Sequence, residues 1–158
     1  MSFRLLAAAL ALPLVLAGCA GESLVPTVPA NKVTTSTADA ARAAALISEY
    51  RRSRGLGPVV ADNGLNGAAV AQARAVAEAG KLSHGAFASR MHEFKVPGIA
   101  SENLSAGSSD VSGAIARWKA SPGHNENLLM KEARRIGLAR ADSPGYGYAH
   151  YWALVLAQ

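Results

Sequence analysis

The chain has 158 residues, half of them hydrophobic, with one cysteine and a formal net charge of +5. A single cysteine excludes an intrachain disulfide, a redox-active dithiol and a zinc ribbon. The basic residues are dispersed and are not interleaved with aromatic ones, so we expect no nucleic-acid partner.

Residues 1–18 predict a lipoprotein signal peptide. Arg4 precedes an apolar run of 13 residues, Leu5 to Ala17, which is shorter than the roughly 20 residues of a membrane-spanning helix. The sequence LAGC at 16–19 has the form of a lipobox. We therefore expect cleavage before Cys19 and acylation of Cys19, which would make the membrane a partner of the mature protein. Removing Arg4 leaves a net charge of +4.

Residues 19–38 predict the lipidated cysteine and a flexible tether. They contain Pro26, Pro29 and four hydroxyl side chains at 34–37, with almost no bulky apolar residue that could join a core. Residues 39–158 are then one domain of about 120 residues, which is large enough for a single hydrophobic core.

Three segments of this domain predict helices. The first begins near residue 38 and ends before Gly55, with an apolar stripe formed by Ala41, Ala44, Ala45, Ile47 and Tyr50. The second has Asp62 as its N-cap and ends at Gly80, and the third runs from Ser109 or Asp110 to Pro122. Their stripes are Leu65, Ala69, Ala73, Val76 and Ala77, and Val111, Ala114, Ile115 and Trp118. A short helical turn is expected at 86–92. The segment 93–100 then forms either a mobile rim with exposed Phe94, Val96 and Ile99 or a loop over packed side chains.

The end of the chain predicts a strand hairpin. Ile136 and Leu138 alternate with smaller residues, a turn follows at 144–147, and residues 148–157 are apolar on both faces. A strand that is apolar on both faces is covered on both sides. Helices first and strands last therefore predict an α+β fold, a three-layer α-β-α sandwich with a small central antiparallel sheet.

Three short polar segments lie at the ends of these elements: LSHG at 82–85, SENL at 101–104 and SPGHNENL at 121–128. Together with Trp118 and the closing strands, their order resembles the CAP superfamily, the SCP/PR-1-like domain of cysteine-rich secretory proteins, antigen 5 and plant pathogenesis-related proteins. More narrowly, the sequence is similar to the short bacterial branch without disulfides, and the resemblance covers residues 40–158. This resemblance implies a polar cleft that contains His84, Glu102 and His124 and is supported by Asn103, Ser121 and Asn127.

Two arrangements of this cleft stay open from the sequence. His84, His124 and Glu102 supply three ligands for a zinc or magnesium ion. Alternatively, the cleft holds no metal and Glu102 fixes the tautomer of one imidazole. Many family members carry a second acid after the helix tryptophan, and 118–121 has none, which lowers the expected metal affinity.

We expect a membrane-anchored envelope lipoprotein that acts as a non-enzymatic binding module for a lipid, glycan or protein ligand. The alternative is a hydrolase, with His84, Glu102 or His124 as the catalytic candidates. Catalysis is the lesser expectation because no nucleophile is accompanied by a base and an orienting group in a recognisable order. Ala20 follows Cys19, so in a two-membrane bacterium we expect, by resemblance to sorted lipoproteins, a place at the outer membrane, facing the periplasm.

Overall fold

The computed structural model describes residues 28–158. The predicted signal peptide, Cys19 and the first part of the tether lie outside the described residues. Within 28–158, no helix is long and apolar enough to cross a membrane. In chain order the elements are a 3-10 turn at Ala30–Lys32, β1 (Thr34–Ser36), α1 (Ala40–Arg52), β2 (Val60–Ala61), α2 (Asn63–Ala79), α3 (Phe87–Glu93), β3 (Ala100–Ala106), α4 (Val111–Ala120), α5 (Pro122–Leu128), β4 (Arg135–Asp142) and β5 (His150–Ala157).

A five-stranded sheet forms the middle layer. Its main order is β1-β4-β5-β3 with antiparallel neighbours, and the two residues of β2 pair in parallel with β4. The predicted α-β-α sandwich is confirmed, with this short parallel pair as an addition to the antiparallel sheet.

Both faces of β5 are buried, as its apolar alternation predicts. On one face, helices α2 and α3 cover Tyr151, Ala153, Val155 and Ala157. On the other, helices α1, α4 and α5 cover Trp152, Leu154 and Leu156. The sheet thus separates two hydrophobic clusters, and each helical layer buries its apolar stripe against one of them.

The second predicted helix is confirmed in detail. The Asp62 side chain accepts a hydrogen bond of 2.9 Å from the backbone amide of Leu65, which satisfies one free donor of the first turn. Gly80 ends the helix in the left-handed conformation, with φ of 62°. All five residues of the predicted stripe are buried. The predicted third stripe is buried as well, with Asp110 capping α4.

In α1 the buried stripe differs from the predicted one. Ala43, Ala44 and Ile47 are buried, whereas Ala41 and Ala45 are exposed. Alanines occupy both sides of this helix, so apolar periodicity alone does not identify the inner face.

Close contact between α2 and β4 requires a glycine. A Cβ at Gly137 would lie 2.0 Å from the carbonyl carbon of Leu65, which no side chain tolerates. The side-chain oxygen of Asn66 accepts a hydrogen bond of 3.0 Å from the backbone amide of Leu138. The helix is therefore tied to the strand at the point where the two backbones meet.

The predicted tether is wrong for residues 28–38. Val28 and Val33 are each 5% exposed and belong to the cluster under α2. Residues 34–36 pair with 140–142 as strand β1 at the edge of the sheet. Hydroxyl side chains are compatible with an edge strand, because one of its faces stays solvated. The domain thus begins before residue 39.

Two further elements were not predicted as regular structure. The SENL segment lies within strand β3, and the segment that starts at Pro122 forms helix α5 with the proline in its first turn. Proline ends α4 but suits the first turn of a new helix, where its missing N–H is not needed. Of the three apolar residues of the segment 93–100 that were candidates for exposure, Phe94 and Val96 pack against the core, whereas Ile99 is 52% exposed.

Candidate functional site

Glu102 is the buried charge around which the cleft is built. Strand β3 places it on the same face as Leu104, which belongs to the cluster under α2, and its side chain is 2% exposed. Its Oε1 lies 2.8 Å from Nδ1 of His84, and its Oε2 accepts a hydrogen bond from Nη2 of Arg90. A buried carboxylate is stable only when it is paired, and these two residues pair both of its oxygens.

His84 reaches Glu102 from the loop that follows α2. The loop is held from below by buried Gln72, whose side-chain amide donates to the backbone carbonyl of Ser83. The His84 side chain itself is 57% exposed. If Nδ1 donates to Glu102, the neutral ring keeps its lone pair on Nε2. The contact with Glu102 then leaves Nε2 of His84 as a hydrogen-bond acceptor on a ring that is largely accessible.

Arg90 belongs to the site but was not among the residues predicted from the sequence. It projects from α3, its side chain is 11% exposed, and its guanidinium also lies 5.7 Å from the centroid of the Phe87 ring. A sequence signal did exist, because Arg90 is the only lysine or arginine in the predicted helical turn at 86–92. This turn follows His84 closely in the sequence, and a carboxylate that the fold buries requires a cation nearby.

His124 enters the cleft from α5. Its Nδ1 lies 2.9 Å from Oγ of Ser121, the residue that precedes the helix. Burial, and in second place the nearby charge of His84, lower the pKa of His124 below its usual value. The two histidines therefore share one electrostatic environment, although no hydrogen bond joins them.

Two asparagines hold α5 against β3. The side-chain amide of Asn103 donates to the backbone carbonyl of His124 at 2.9 Å. The amide of Asn127 donates to the side-chain oxygen of Asn103 at 2.9 Å and to the backbone carbonyl of Glu102 at 3.2 Å. These contacts link the segments of the two sequence motifs, so they fix the relative positions of Glu102 and His124.

A buried arginine of α1 holds the end of α5 in place. Arg51 is fully buried and donates to the backbone carbonyls of Leu128 and Met130, both at 2.9 Å. Further bonds reach the carbonyls of Gly57 and Ala133. Burial, and then the charge of Arg134, lower the pKa of Arg51. A run of free carbonyls after α5 requires a donor, and this buried arginine supplies it.

A pocket opens beside this network. Its volume is about 510 Å³, and its walls come from the loop after α2, the end of β3, the ends of α4 and α5, and the turn before β5. Its lining residues are Gly80, Lys81, Leu82, Leu104, Ser105, Ala106, Arg117, Trp118, Ser121, His124 and Tyr148. His124 thus belongs both to the polar cleft and to the pocket wall.

The donor set does not fit a resident divalent cation. Both oxygens of Glu102 are already paired, and one of the partners is the permanent cation Arg90. A positive ion at this carboxylate would be repelled by the guanidinium. Between residues 28 and 158, no group of three or more His, Cys, Asp or Glu side chains is arranged to hold a metal. Of the two arrangements left open by the sequence, these contacts favour the one in which Glu102 orients an imidazole.

Comparisons with known proteins identify a family and a shared fold. The model of the cysteine-rich secretory protein family, CAP, matches residues 44–156. Among curated protein sequences, none matches this chain. The fold is shared with an outer surface protein from Borrelia burgdorferi, which is 21% identical with a TM-score of 0.64, over 72% of this chain and 87% of that one.

Two larger proteins contain a similar domain. An extracellular protein with an SCP domain from Bacillus anthracis is 22% identical with a TM-score of 0.64, over 74% of this chain and 39% of that one. A cysteine-rich secretory protein from Staphylococcus aureus is 18% identical with a TM-score of 0.60, over 75% of this chain and 38% of that one. This chain therefore spans about two fifths of the lengths of these two proteins. At these identities the likeness shows a shared fold and nothing more.

Proposed function

Because this chain belongs to the cysteine-rich secretory protein (CAP) family, we propose that it is a binding module of the bacterial envelope that presents its His/Glu cleft to a lipid, glycan or protein ligand. The observation that carries this proposal is the pairing of Glu102 with both Arg90 and His84. A general base must accept a proton from the reacting group. Both oxygens of Glu102 are already engaged by these two partners, so neither is free to take that proton, and its role is to orient His84.

The second candidate function is hydrolysis, and one contact favours it. Oγ of Ser121 lies 2.9 Å from Nδ1 of His124, and the lowered pKa of His124 keeps its ring neutral near pH 7. A serine next to a neutral imidazole has two of the three parts of a hydrolytic triad. In the described residues no carboxylate is hydrogen-bonded to His124, so the orienting acid is missing. The same contact also ties the first turn of α5 to the residue that precedes it.

One set of variants separates binding from hydrolysis. We would assay purified wild type, Ser121→Ala and His124→Ala on casein and on p-nitrophenyl butyrate, with His92→Ala as a matched control. His92 is exposed and lies on α3. We expect turnover by the wild type to equal the no-protein blank. Turnover that scales with protein concentration, persists in His92→Ala and disappears in both other variants would establish a hydrolase and refute the binding proposal.

Binding is tested directly on the same protein. We would record amide NMR spectra while adding soluble murein fragments or, separately, anionic lipid vesicles. Saturable shifts confined to the residues around His84 and His124 would support a ligand site in the cleft and identify its chemical class. Shifts for neither probe, or shifts spread over the surface, would contradict a glycan or lipid ligand. A protein would then be the remaining ligand class, and cross-linking in envelope extracts would test it.

Location is part of the same proposal. The LAGC sequence supports acylation of Cys19, and Ala20 supports sorting to the outer membrane. Two proteins of similar fold are described as an outer surface protein and an extracellular protein, which supports a place outside the cytoplasm. We expect the full chain to fractionate with membranes and Cys19→Ala to lose that association. Membrane association that is unchanged in Cys19→Ala would refute the lipid anchor.

A further inference from the structure

We propose that the pocket between α4 and the loop after α2 binds the carboxylate or phosphate group of a small ligand, held between Lys81 and Arg117. This inference rests on the proposed binding function and names the chemistry that the site selects. It concerns the pocket wall next to His124 rather than the Glu102 network itself.

The charges of the pocket point to an anion. Lys81 and Arg117 both line it, and no aspartate or glutamate does. Some other cations of the described residues are neutralised locally, as Arg74 is by Glu78 and Arg135 by Asp62. Over residues 28–158, the side chains of Lys81 and Arg117 form neither an ion pair nor a hydrogen bond with the protein. Two unpaired cations that line one pocket create a positive potential that an anionic group would neutralise.

Ser105 supplies an independent observation. It lines the pocket, its residue is only 6% exposed, and its hydroxyl has no hydrogen-bond partner in the described part of the chain. Buried hydroxyl groups in folded proteins are nearly always paired. An oxygen of a bound carboxylate or phosphate, or a water that it carries, would accept the hydrogen bond that the protein leaves unmade.

The remaining walls define the rest of the ligand. Trp118 and Leu104 form a buried apolar floor, while Tyr148 is 62% exposed and Leu82 is 41% exposed at the rim. The volume of about 510 Å³ lies within the range of roughly 300–1,000 Å³ that small-molecule sites occupy. The site therefore suits an acidic group attached to a flat or short apolar body.

Four small probes test this chemistry on the purified protein. Benzoate carries a carboxylate on an apolar ring, phenyl phosphate carries a phosphate on the same ring, inorganic phosphate lacks the ring, and benzamide is the neutral match of benzoate. We would follow amide NMR spectra at millimolar probe concentrations. We expect saturable shifts around Lys81, Ser105 and Arg117 with benzoate, phenyl phosphate or both, and none with benzamide. The stronger of the two acids identifies whether a carboxylate or a phosphate is the natural group.

Matched variants locate the binding. We expect Arg117→Gln to weaken the affinity about tenfold, since it removes a charge-assisted hydrogen bond, and Ser105→Ala to weaken it about fivefold. Lys119→Gln is the control for charge, because Lys119 lies on the same helix but packs over the Tyr50 ring. Ser101→Ala is the control for the hydroxyl, because Oγ of Ser101 is also buried and unpartnered but does not line the pocket. Both controls should bind like wild type.

Equal binding of benzamide, equal losses in Lys119→Gln and Arg117→Gln, or the absence of saturable shifts with every acid would overturn the inference. These results are distinct from failure of the proposed function. Hydrolysis by the Ser121 and His124 pair would refute the binding module even if benzoate bound. Saturable binding of murein fragments without any response to the small acids would support the module and refute the anion pocket.

Discussion

Two regions of this domain use the same kinds of side chain with different consequences. In the cleft, Glu102 pairs with His84 and Arg90. At the far end of the hairpin, Asp142 pairs with His150 at 2.7 Å and with Arg140 at 2.9 Å. Each cluster thus joins one carboxylate to one histidine and one arginine. Their burial differs, since the Glu102 side chain is 2% exposed and the Asp142 side chain 22%.

This difference separates a site from an ordinary surface cluster. The charge of Asp142 is partly solvated, so losing one partner exposes it to water at little cost. Glu102 has no such alternative, because taking away its cation would leave a bare charge in the interior. The same three kinds of side chain therefore form contacts that water can replace at the hairpin, and an obligatory network, whose charge must stay paired, in the cleft.

The largest expected effect on stability comes from replacing Arg90, and the same replacement of Arg140 is the comparison. Arg90→Met should lower the free energy of unfolding by about 3–5 kcal/mol, the usual cost of breaking one partner out of a buried pair. Arg140→Met should cost less than about 1 kcal/mol, as for other partly exposed pairs. Urea unfolding of the two variants beside wild type measures both values.

A double variant controls for lost packing. Arg90→Met combined with Glu102→Gln removes the buried charge as well as its partner, so it should recover a large part of the loss. If Arg90→Met and Arg140→Met were equally mild, or if the double variant recovered nothing, the ion pair would not be what makes the cleft network obligatory.

The sequence predicted the helical layers and the residues of the cleft by different means. Leu65, Val76 and Trp118 stand in clear apolar stripes, and periodicity is enough to place such residues inside. Glu102 and His124 were found by the order of their motifs, since 22 residues separate them and only the fold brings them together.

What the sequence did not predict has a physical reason in each case. The strand pairing of 34–36 depends on a partner about a hundred residues away, and a run of hydroxyl residues has no apolar alternation to indicate it. Arg51 and Arg90 look like solvated charges in the sequence. Their burial depends on acceptors that other elements supply, which are backbone carbonyls for Arg51 and a carboxylate for Arg90.

A smaller effect is expected from the histidines of the two clusters. His84→Ala leaves a buried carboxylate oxygen unpaired, and we expect it to cost about 1–2 kcal/mol. His150→Ala should cost less than about 1 kcal/mol, because water can replace the ring at Asp142. His92→Ala gives the baseline for an exposed histidine. The same urea titrations measure all three, and a cost for His150→Ala equal to that for His84→Ala would remove the distinction between the clusters.

The smallest effect concerns His124, which has no carboxylate partner in the described residues. Burial and the charge of His84 lower its pKa in the folded protein, so below about pH 6.5 the unfolded chain binds more protons at this position than the folded one. The contribution of His124 to stability is therefore unfavourable at low pH. It disappears as pH rises above the unfolded pKa.

We accordingly expect wild type to lose more stability than His124→Gln when the pH is lowered from 7.5 through about 6.5, as measured by urea unfolding at each pH. The comparison between variants cancels the other titrating groups. In a His84→Ala background the difference should shrink but persist, because burial is the larger cause of the lowered pKa and the charge of His84 the smaller. Complete loss of the difference in that background would instead make His84 the main cause. It would also mean that the two imidazoles are coupled more strongly than their separate hydrogen-bond partners indicate.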